Sequence, residues 1–377
     1  MVFRHADLRA FGTAQQIGNV PIETLYAGHI GQGDLGGKQP GGKVAKVIAS
    51  QVFTFNPPLH GPARHILTHW LGPRQISLVE GLARRIAQEI AETIEDGQEI
   101  DFVEAVSERL TVGFWARLLG LTAEETDAIG ECARAMTRLF HLKRTAEDAA
   151  ILDEAFADYA AVLDRAAERG LAVGDATLTD LEAKRRALDF ADDPAEAGIP
   201  PKTLGAMLAG NLVDGFHTAV LASANTFFTL ARHPGVLADA RGAPALLARA
   251  IAEALRLEPP VLFLKRYVLR DFLHAGATIP AGSVVTMFWA AGNFDPAVFP
   301  EPERFNPLRL HAGLTTFGTG THICPGRYAA TMLIRVMIEA FEASAIGFEP
   351  AEEPAVWLPD HALGQLGRLP MRMRRAR

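Results

Sequence analysis

Among 377 residues the chain has only two cysteines, Cys132 and Cys324. That number supports no disulfide framework and agrees with a reducing compartment. Positive charge is also short: 37 Lys and Arg stand against 44 Asp and Glu, a net charge of −7. General nucleic-acid binding, which rests on a basic excess, is thereby excluded. No run of about 18 apolar residues occurs, as a membrane span would need. The opening Met1-Val2-Phe3-Arg4-His5-Ala6-Asp7 has neither a signal-peptide core nor a membrane anchor, so a soluble, cytoplasmic protein is expected. Internal repeats and low-complexity tails are absent. Apolar residues make up 49% and charged residues 21%, ordinary for a globular chain that buries a large core. Length alone suggests two or three domains, but a helical enzyme built around a large cofactor runs this long as one, and a single domain over 1–377 is expected.

One of the two cysteines stands in an unusual setting. Phe317-Gly318-Thr319-Gly320-Thr321-His322-Ile323-Cys324-Pro325-Gly326-Arg327 is a glycine-rich loop running into a helix, whose face is marked by Met332, Leu333, Val336, Met337, Ala340 and Phe341. Pro325 suits a first helical turn, where its missing N–H loses nothing. Cys324 is thus expected at a helix N-terminus, where free N–H groups and the macrodipole favour thiolate and lower the pKa. Glycines let such a loop pass close beneath a flat cofactor, and a heme iron with one axial thiolate fits these demands. An isolated cysteine is more often a small buried hydrophobe. A zinc site would need more ligands than the close pair His322 and Cys324, since Cys132 lies in a helical pattern without ligand-like neighbours.

The pattern Phe-Gly-x-Gly-x-His-x-Cys-x-Gly, complete here, resembles the heme-binding signature of the cytochrome P450 family. That resemblance, which runs from about Phe3 to the C-terminus, implies a mainly α fold with a small β-rich region and heme b held by the axial thiolate of Cys324. It also implies that Phe317, Gly318, His322 and Gly326 are cofactor-binding. Asn56-Pro57-Pro58-Leu59-His60-Gly61-Pro62-Ala63-Arg64 is similar to the family's Asp-Pro-Pro-x-His-x-x-x-Arg, with Asn56 for the aspartate. His60 and Arg64, four apart, share a helix face, and the match assigns them, with Arg266 on a later strand and His322, to the heme propionates. Family members usually carry a further N-terminal helix and strand ahead of the part corresponding to Met1, so the front is short.

The longest helical pattern starts at Pro201 and closes at Arg232-His233-Pro234, interrupted by Gly205, Gly210 and Gly215. Each glycine costs about 1 kcal/mol in a helix interior, so a compensating role is expected. Asp214-Gly215-Phe216-His217-Thr218-Ala219 resembles the family's Ala/Gly-Gly-x-acid-Thr oxygen-binding motif, with Asp214 for the small residue and His217 for the acid. The resemblance makes Gly215, His217 and Thr218 the distal oxygen site. Asp214 lies three and four residues before His217 and Thr218, so all three can approach one side of the helix as a rebuilt proton relay titrating between roughly pH 5 and 8. The plainer reading of His217 is a packed helical histidine.

Glu253 and Arg256 match the family's Glu-x-x-Arg, with Arg304 of Pro302-Glu303-Arg304-Phe305 as the expected second arginine; an exposed pair is the plainer reading. Ala291-Gly292-Asn293-Phe294-Asp295-Pro296 resembles the family's Ala-Asn-Arg-Asp-Pro, with Phe294 where arginine is usual. Other helices are expected over 6–16, 76–97, 102–119, 123–140, 146–169 and 244–257, strands around 262–269 and 283–289, and a type I turn at Ile279-Pro280-Ala281-Gly282. The tract holding Gly28, Gly31, Gly33, Gly36, Gly37, Gly41 and Gly42 reads as mobile, and the family places it along substrate access. The charged stretch 181–200, with Lys184, Arg185 and Arg186 before Asp192, Asp193 and Glu196, reads as a solvated helix and loop. Apolar candidates for a substrate pocket are Phe53, Phe55, Val213, Pro260, Val261, Leu262 and Leu363.

The implied activity is insertion of one oxygen atom from O2 into a small, largely apolar organic substrate. A separate ferredoxin-type or flavin-type donor would supply electrons, docking on a basic patch at Arg64, Arg74 and Arg327. Two alternatives stay open: a peroxide-driven or otherwise diverted heme-thiolate enzyme, and a non-catalytic heme or ligand binder.

Overall fold

Helices form where the apolar rhythm and the caps coincide. The computed structural model describes residues 1–27, 42–188 and 197–375. The glycine tract up to Gly41 and Asp192, Asp193 and Glu196 lie outside the described residues. The front contains α1 (His5–Thr13), β1 (Ile17–Gly18), α2 (Ile22–Ala27) and α3 (Gly42–Ile48), followed by α4 (His60–Trp70) and α5 (Pro73–Glu92). The stretch expected as one helix from Phe102 starts with a wide turn at Val103–Glu108 before α6 (Arg109–Leu118). Thr122 and Glu125 form a capping box that starts α7 (Ala123–Ala135). That helix tightens into a 3-10 turn over Met136–Phe140 instead of continuing to Phe140 as expected.

A second capping box, Thr145 with Asp148, opens α8 (Ala146–Ala172), and α9 is Ala176–Arg186. Glu182 on α9 is buried between Arg185 and Arg186, so this part of the charged stretch is an ion-paired face. The central α10 (Leu204–Ala231) spans 28 residues, starts after the N-cap Thr203, and runs about 42 Å at 1.5 Å per residue. Its length and composition would suit a membrane span, yet 67% of its most apolar window is buried inside the protein. Short α11 (Pro234–Ala240) and α12 (Pro244–Leu257) follow.

The β-rich side begins with β3 (Leu264–Val268), the hairpin β4 (Phe272–His274) and β5 (Ala277–Ile279), and β6 (Val284–Met287). Strand β3 is the middle of an antiparallel sheet, with Ile17 of β1 opposite Val268 and Leu264 opposite Met287 of β6. The first residues extend this sheet: Val2 donates to Thr286 O at 2.9 Å and accepts from Phe288 N at 2.9 Å. The expected type I turn closes one residue later, with Ser283 donating to Pro280 O at 3.2 Å. Gly282 sits at φ +84, the left-handed conformation that a type I turn does not require at that position. After α13 (Trp289–Asn293) and α14 (Arg327–Ala343), the chain ends in β7 (Ile346–Pro350), β8 (Val356–Trp357), β9 (Leu366–Arg368) and β10 (Pro370–Arg375). Strand β10 pairs with both β7 and β2 (Glu99–Asp101).

One main core joins the helices. At its centre Phe102 lies 4.4 Å from Phe227 and 6.2 Å from Phe341, all fully buried. Each such burial contributes about 1.5–3 kcal/mol. A smaller core of Leu8, Phe11, Val268, Val285, Met287 and Trp289 fastens α1 to the sheet. Both α1 and α14 therefore bear on the same loop, the one carrying Cys324.

Candidate functional site

The cysteine loop is fixed by backbone geometry that only glycine adopts without strain. Gly318 and Gly320 sit at φ +72 and +67, and a Cβ on Gly320 would collide with the backbone of Gly12 and Thr13 at the end of α1. Gly318 donates to Thr315 O at 2.9 Å and Cys324 to Phe317 O at 2.8 Å, which folds the loop back on itself. Gly326 is the N-cap of α14, so Pro325 precedes the helix rather than occupying its first turn. Arg327 opens the helix and donates to Cys324 O at 2.8 Å and to Tyr328 OH at 2.9 Å.

The thiol of Cys324 departs from expectation. Burial pushes its pKa up, and the field of Asp214 adds to this, outweighing the Gly326 N–H, Arg64 and Arg327, which pull it down. With the helix starting three residues beyond the sulfur, its dipole reaches Cys324 weakly. Such a thiol ionises when a metal cation binds it.

Four nitrogen-bearing side chains converge beside the loop. His60 and Arg64 come from the first turns of α4, Arg266 from the middle of β3, and His322 from the loop itself. The His60 and His322 rings lie 4.4 Å apart, and Arg64 donates to Ile323 O. Burial, then Arg64 and Arg266, lowers the His60 pKa to about 4. Burial, then Arg266, His60 and Arg64, lowers that of His322 to about 2. Arg266 is only 5% exposed. Its hydrogen bond among the described residues is to the neighbouring Lys265 O at 3.1 Å, and burial alone lowers its pKa to about 10. A buried guanidinium with five donors and no carboxylate among the described residues calls for an anionic ligand. This donor set, together with a cysteine sulfur that would be 3.8 Å from a Cβ on Gly326, fits heme. Cys324 would hold the iron, and His60, Arg64, Arg266 and His322 the propionates.

Across from Cys324, α10 divides into two faces. Asp214, Gly215, Thr218 and Ala219 keep part of their surface accessible, whereas Val213, Phe216, His217 and Val220 are buried. Gln51 donates to Asp214 Oδ2, and burial raises the Asp214 pKa to about 6 against the lowering effect of that bond. Thr218 Oγ1 donates to Asp214 O at 2.6 Å. His217 is not on this face, contrary to the expected grouping of the three. Its Nδ1–H donates to Ala133 O at 3.2 Å and its ring stacks on Phe140 at 5.5 Å, with no partner for Nε2 among the described residues. Burial, helped by His361, lowers the His217 pKa to about 4, despite the opposing Ala133 and Gln365.

The glycines of α10 divide as well. A Cβ on Gly210 would stand 2.7 Å from the Ser50 carbonyl carbon and 3.0 Å from the Gln51 nitrogen, so Gly210 lets the 50–52 loop lie against the helix. A Cβ on Gly215 would meet Leu212 and Trp115, both at 4.0 Å, in ordinary van der Waals contact. Val261 bridges to Leu363, and Val261 and Leu262 keep accessible surface. Phe55 and Val213, expected in the pocket, are each 1% exposed and belong to the main core.

Glu253 anchors the segment leading to the loop, with partners other than those expected. It receives Arg256 at 2.8 and 3.0 Å, Arg309 Nε at 3.2 Å and His311 Nε2 at 2.9 Å. Arg304, the expected second arginine, contributes its backbone carbonyl to Arg256, while its side chain points outward to Glu301. Its place is taken by Arg309, in the sequence Asn306-Pro307-Leu308-Arg309-Leu310-His311. Asn56, standing where the family has aspartate, pairs its side-chain amide with the Asn19 backbone at 2.8 and 2.9 Å. Gln51, His361 and Gln365 belong to no motif or periodic pattern in the sequence, which carries no signal for their place near α10.

Comparison with known proteins agrees with this site. The family model described as Cytochrome P450 matches residues 240–341. 6-Deoxyerythronolide B hydroxylase of Saccharopolyspora erythraea is 25% identical over 345 residues, 88% of this chain and 80% of that protein. Linalool 8-monooxygenase of Pseudomonas putida is 28% identical, covering 79% and 71%. Among solved structures, that of P450BioI with an acyl carrier protein superposes with a TM-score of 0.82 at 17% identity, covering 98% of this chain and 91% of that one. TbtJ1 superposes with a TM-score of 0.78 at 26% identity, covering 99% and 91%. A helical fold carrying a cysteine loop of this kind defines a heme-thiolate oxidoreductase. The chain is similar to members of the cytochrome P450 family over most of its length and has their fold.

Proposed function

We propose that the protein is a monooxygenase that inserts one atom of O2 into a small, largely apolar organic substrate and reduces the other to water. Two electrons and two protons balance the reaction, the electrons coming singly from a separate ferredoxin-type or flavin-type donor. The observation that carries this reading is the buried Arg266, unmatched by any carboxylate among the described residues, beside the loop that presents Cys324. Heme, when bound, supplies the redox chemistry and the site at which O2 is activated.

The chain's own residues do the rest. Cys324 would supply the sulfur that holds the iron, and Arg327 holds the Cys324 carbonyl in place. Thr218 presents a hydroxyl on the accessible face of α10, and moving a proton there requires it to turn from Asp214 O. Gly215 keeps part of its surface accessible at that turn. His217, neutral and tied to Ala133, positions α10 against α7 rather than carrying protons. Of the three arginines considered for docking a donor, Arg74 is exposed, while Arg64 and Arg327 are half-buried and engaged with the loop.

Stoichiometry tests this proposal. With a reduced donor and O2, holoprotein should form product in proportion to electrons and O2 consumed. Turnover with peroxide alone, and none with donor and O2, would replace the monooxygenase with a peroxide-driven enzyme.

A further inference from the structure

The loop that presents Cys324 is entered through Thr315 and Thr316, both buried. Both side-chain polar atoms of Asn293 are directed at these two residues. Oδ1 accepts from the Thr315 N–H at 2.9 Å and from Thr315 Oγ1 at 3.0 Å, a hydroxyl also 2.6 Å from Trp289 O. Nδ2 donates to Thr316 Oγ1 at 2.8 Å, and that hydroxyl donates onward to Leu255 O of α12 at 3.0 Å. A backbone N–H can only donate, so the atom facing Thr315 N is the oxygen and the amide has one orientation. Asn293 is the last residue of α13 and 0% exposed, and its carbonyl receives Arg256 Nη1 at 2.9 Å. Gly292 lets α13 lie this close to the loop, since a Cβ there would stand 2.7 Å from Thr315 Oγ1.

We infer that Asn293 is a positioning residue for the iron-binding sulfur: through Thr315 and Thr316 it sets where Cys324 stands. The path is short. Thr315 O accepts from Gly318 N at 2.9 Å, and Phe317 O, directly after Thr316, accepts from Cys324 N at 2.8 Å. A turn of the backbone at Thr315 and Thr316 is therefore passed to the start of the loop and to the cysteine itself. With Gly318 and Gly320 both at positive φ, the loop has little stiffness of its own and takes its shape from such anchors. Arg256 belongs to the Glu253 hub, so Asn293 also joins that hub to the loop. Asparagine suits the place by its chemistry. Leucine, of similar size, would leave the buried Thr315 N–H without that partner. Aspartate would keep the acceptor but turn a second oxygen toward Thr316 Oγ1, whose proton is already given to Leu255 O, and would bury a charge.

The inference rests on the reading of Cys324 as the iron ligand, and two measurements separate positioning from plain stability. In the heme-free protein, the rate at which a maleimide labels Cys324 reports how often the loop opens, and peptide mass distinguishes this thiol from Cys132. Asn293→Leu and Asn293→Asp should raise that rate about tenfold or more, as expected when opening breaks one or two fewer buried hydrogen bonds. In the holoprotein, the carbon monoxide spectrum of the heme that these variants retain should split between the red-shifted thiolate band and an unshifted one. Thr316→Val removes one of the three side-chain bonds and should produce both effects to a smaller degree. Thr316→Ser restores the hydroxyl and should match wild type. Labelling at the wild-type rate in the Asn293 variants overturns the inference. So does a lower heme content with an unsplit thiolate band, which is the mark of a residue that only stabilises the fold. If the Asn293 variants do not accumulate, the Thr316 pair decides: equal labelling and equal spectra in Thr316→Val and Thr316→Ser overturn the inference. A wild type that lacks the thiolate band refutes the heme-site reading, and the labelling rates of the heme-free protein still decide whether Asn293 holds the loop.

Discussion

Arg266 carries a full charge at 5% exposure with only a neighbouring carbonyl as partner among the described residues. In the heme-free protein that charge is a liability, and with heme it becomes an anchor. Arg266→Leu should therefore stabilise the heme-free protein against urea by roughly 1 kcal/mol or more, while heme is lost faster to an apoprotein acceptor. A destabilised apoprotein that retains heme as well as wild type would remove Arg266 from the cofactor site. His217 makes a separate prediction. Its folded pKa of about 4 lies below the ordinary 6.5, so its contribution to stability is present above 6.5 and is lost as pH falls through 4. A shift of that size is worth about 3 kcal/mol. His217→Leu should flatten the pH dependence of unfolding between 6.5 and 4, and an unchanged slope would show that another group titrates there.

Elements here depend on a few buried hubs, and the hub on α12 is Glu253. Removing one partner of a buried pair costs about 3–5 kcal/mol. Glu253→Ala and Arg309→Ala should therefore accumulate poorly as holoprotein, whereas Arg304→Ala should resemble wild type, because the Arg304 side chain is outside the network. Heme content per purified chain measures this, and loss in Arg304→Ala with normal Arg309→Ala would reverse the assignment. The pair Glu253 and Arg256 was legible in the sequence because a helix brings residues three apart together. The choice of Arg309 over Arg304 was not, because it is made by the path of a loop with no repeat. The same limit explains α10. Its length and glycines were legible, but the side on which His217 falls depends on α7 and Phe140, far along the chain.

At the scale of the molecule, the helical fold and the cysteine loop were readable, while most of the small strands were not. Strands of two to six residues, such as β2, β8 and β10, carry too little alternation to stand out, and β10 is held by β2, far earlier in the chain. Docking of an electron donor belongs to this scale. Exposed charges are screened over about 10 Å at 0.1 M salt. Reduction by an acidic ferredoxin should slow as salt rises and slow further in Arg74→Glu, and a rate indifferent to both would move the docking face elsewhere. The central claim is that Cys324 holds heme iron as a thiolate. The most direct measurement is the carbon monoxide difference spectrum of the reduced holoprotein. Wild type should show the red-shifted band peculiar to thiolate-ligated heme, and Cys324→Ala should lose it. Persistence of that band without Cys324 would contradict the account.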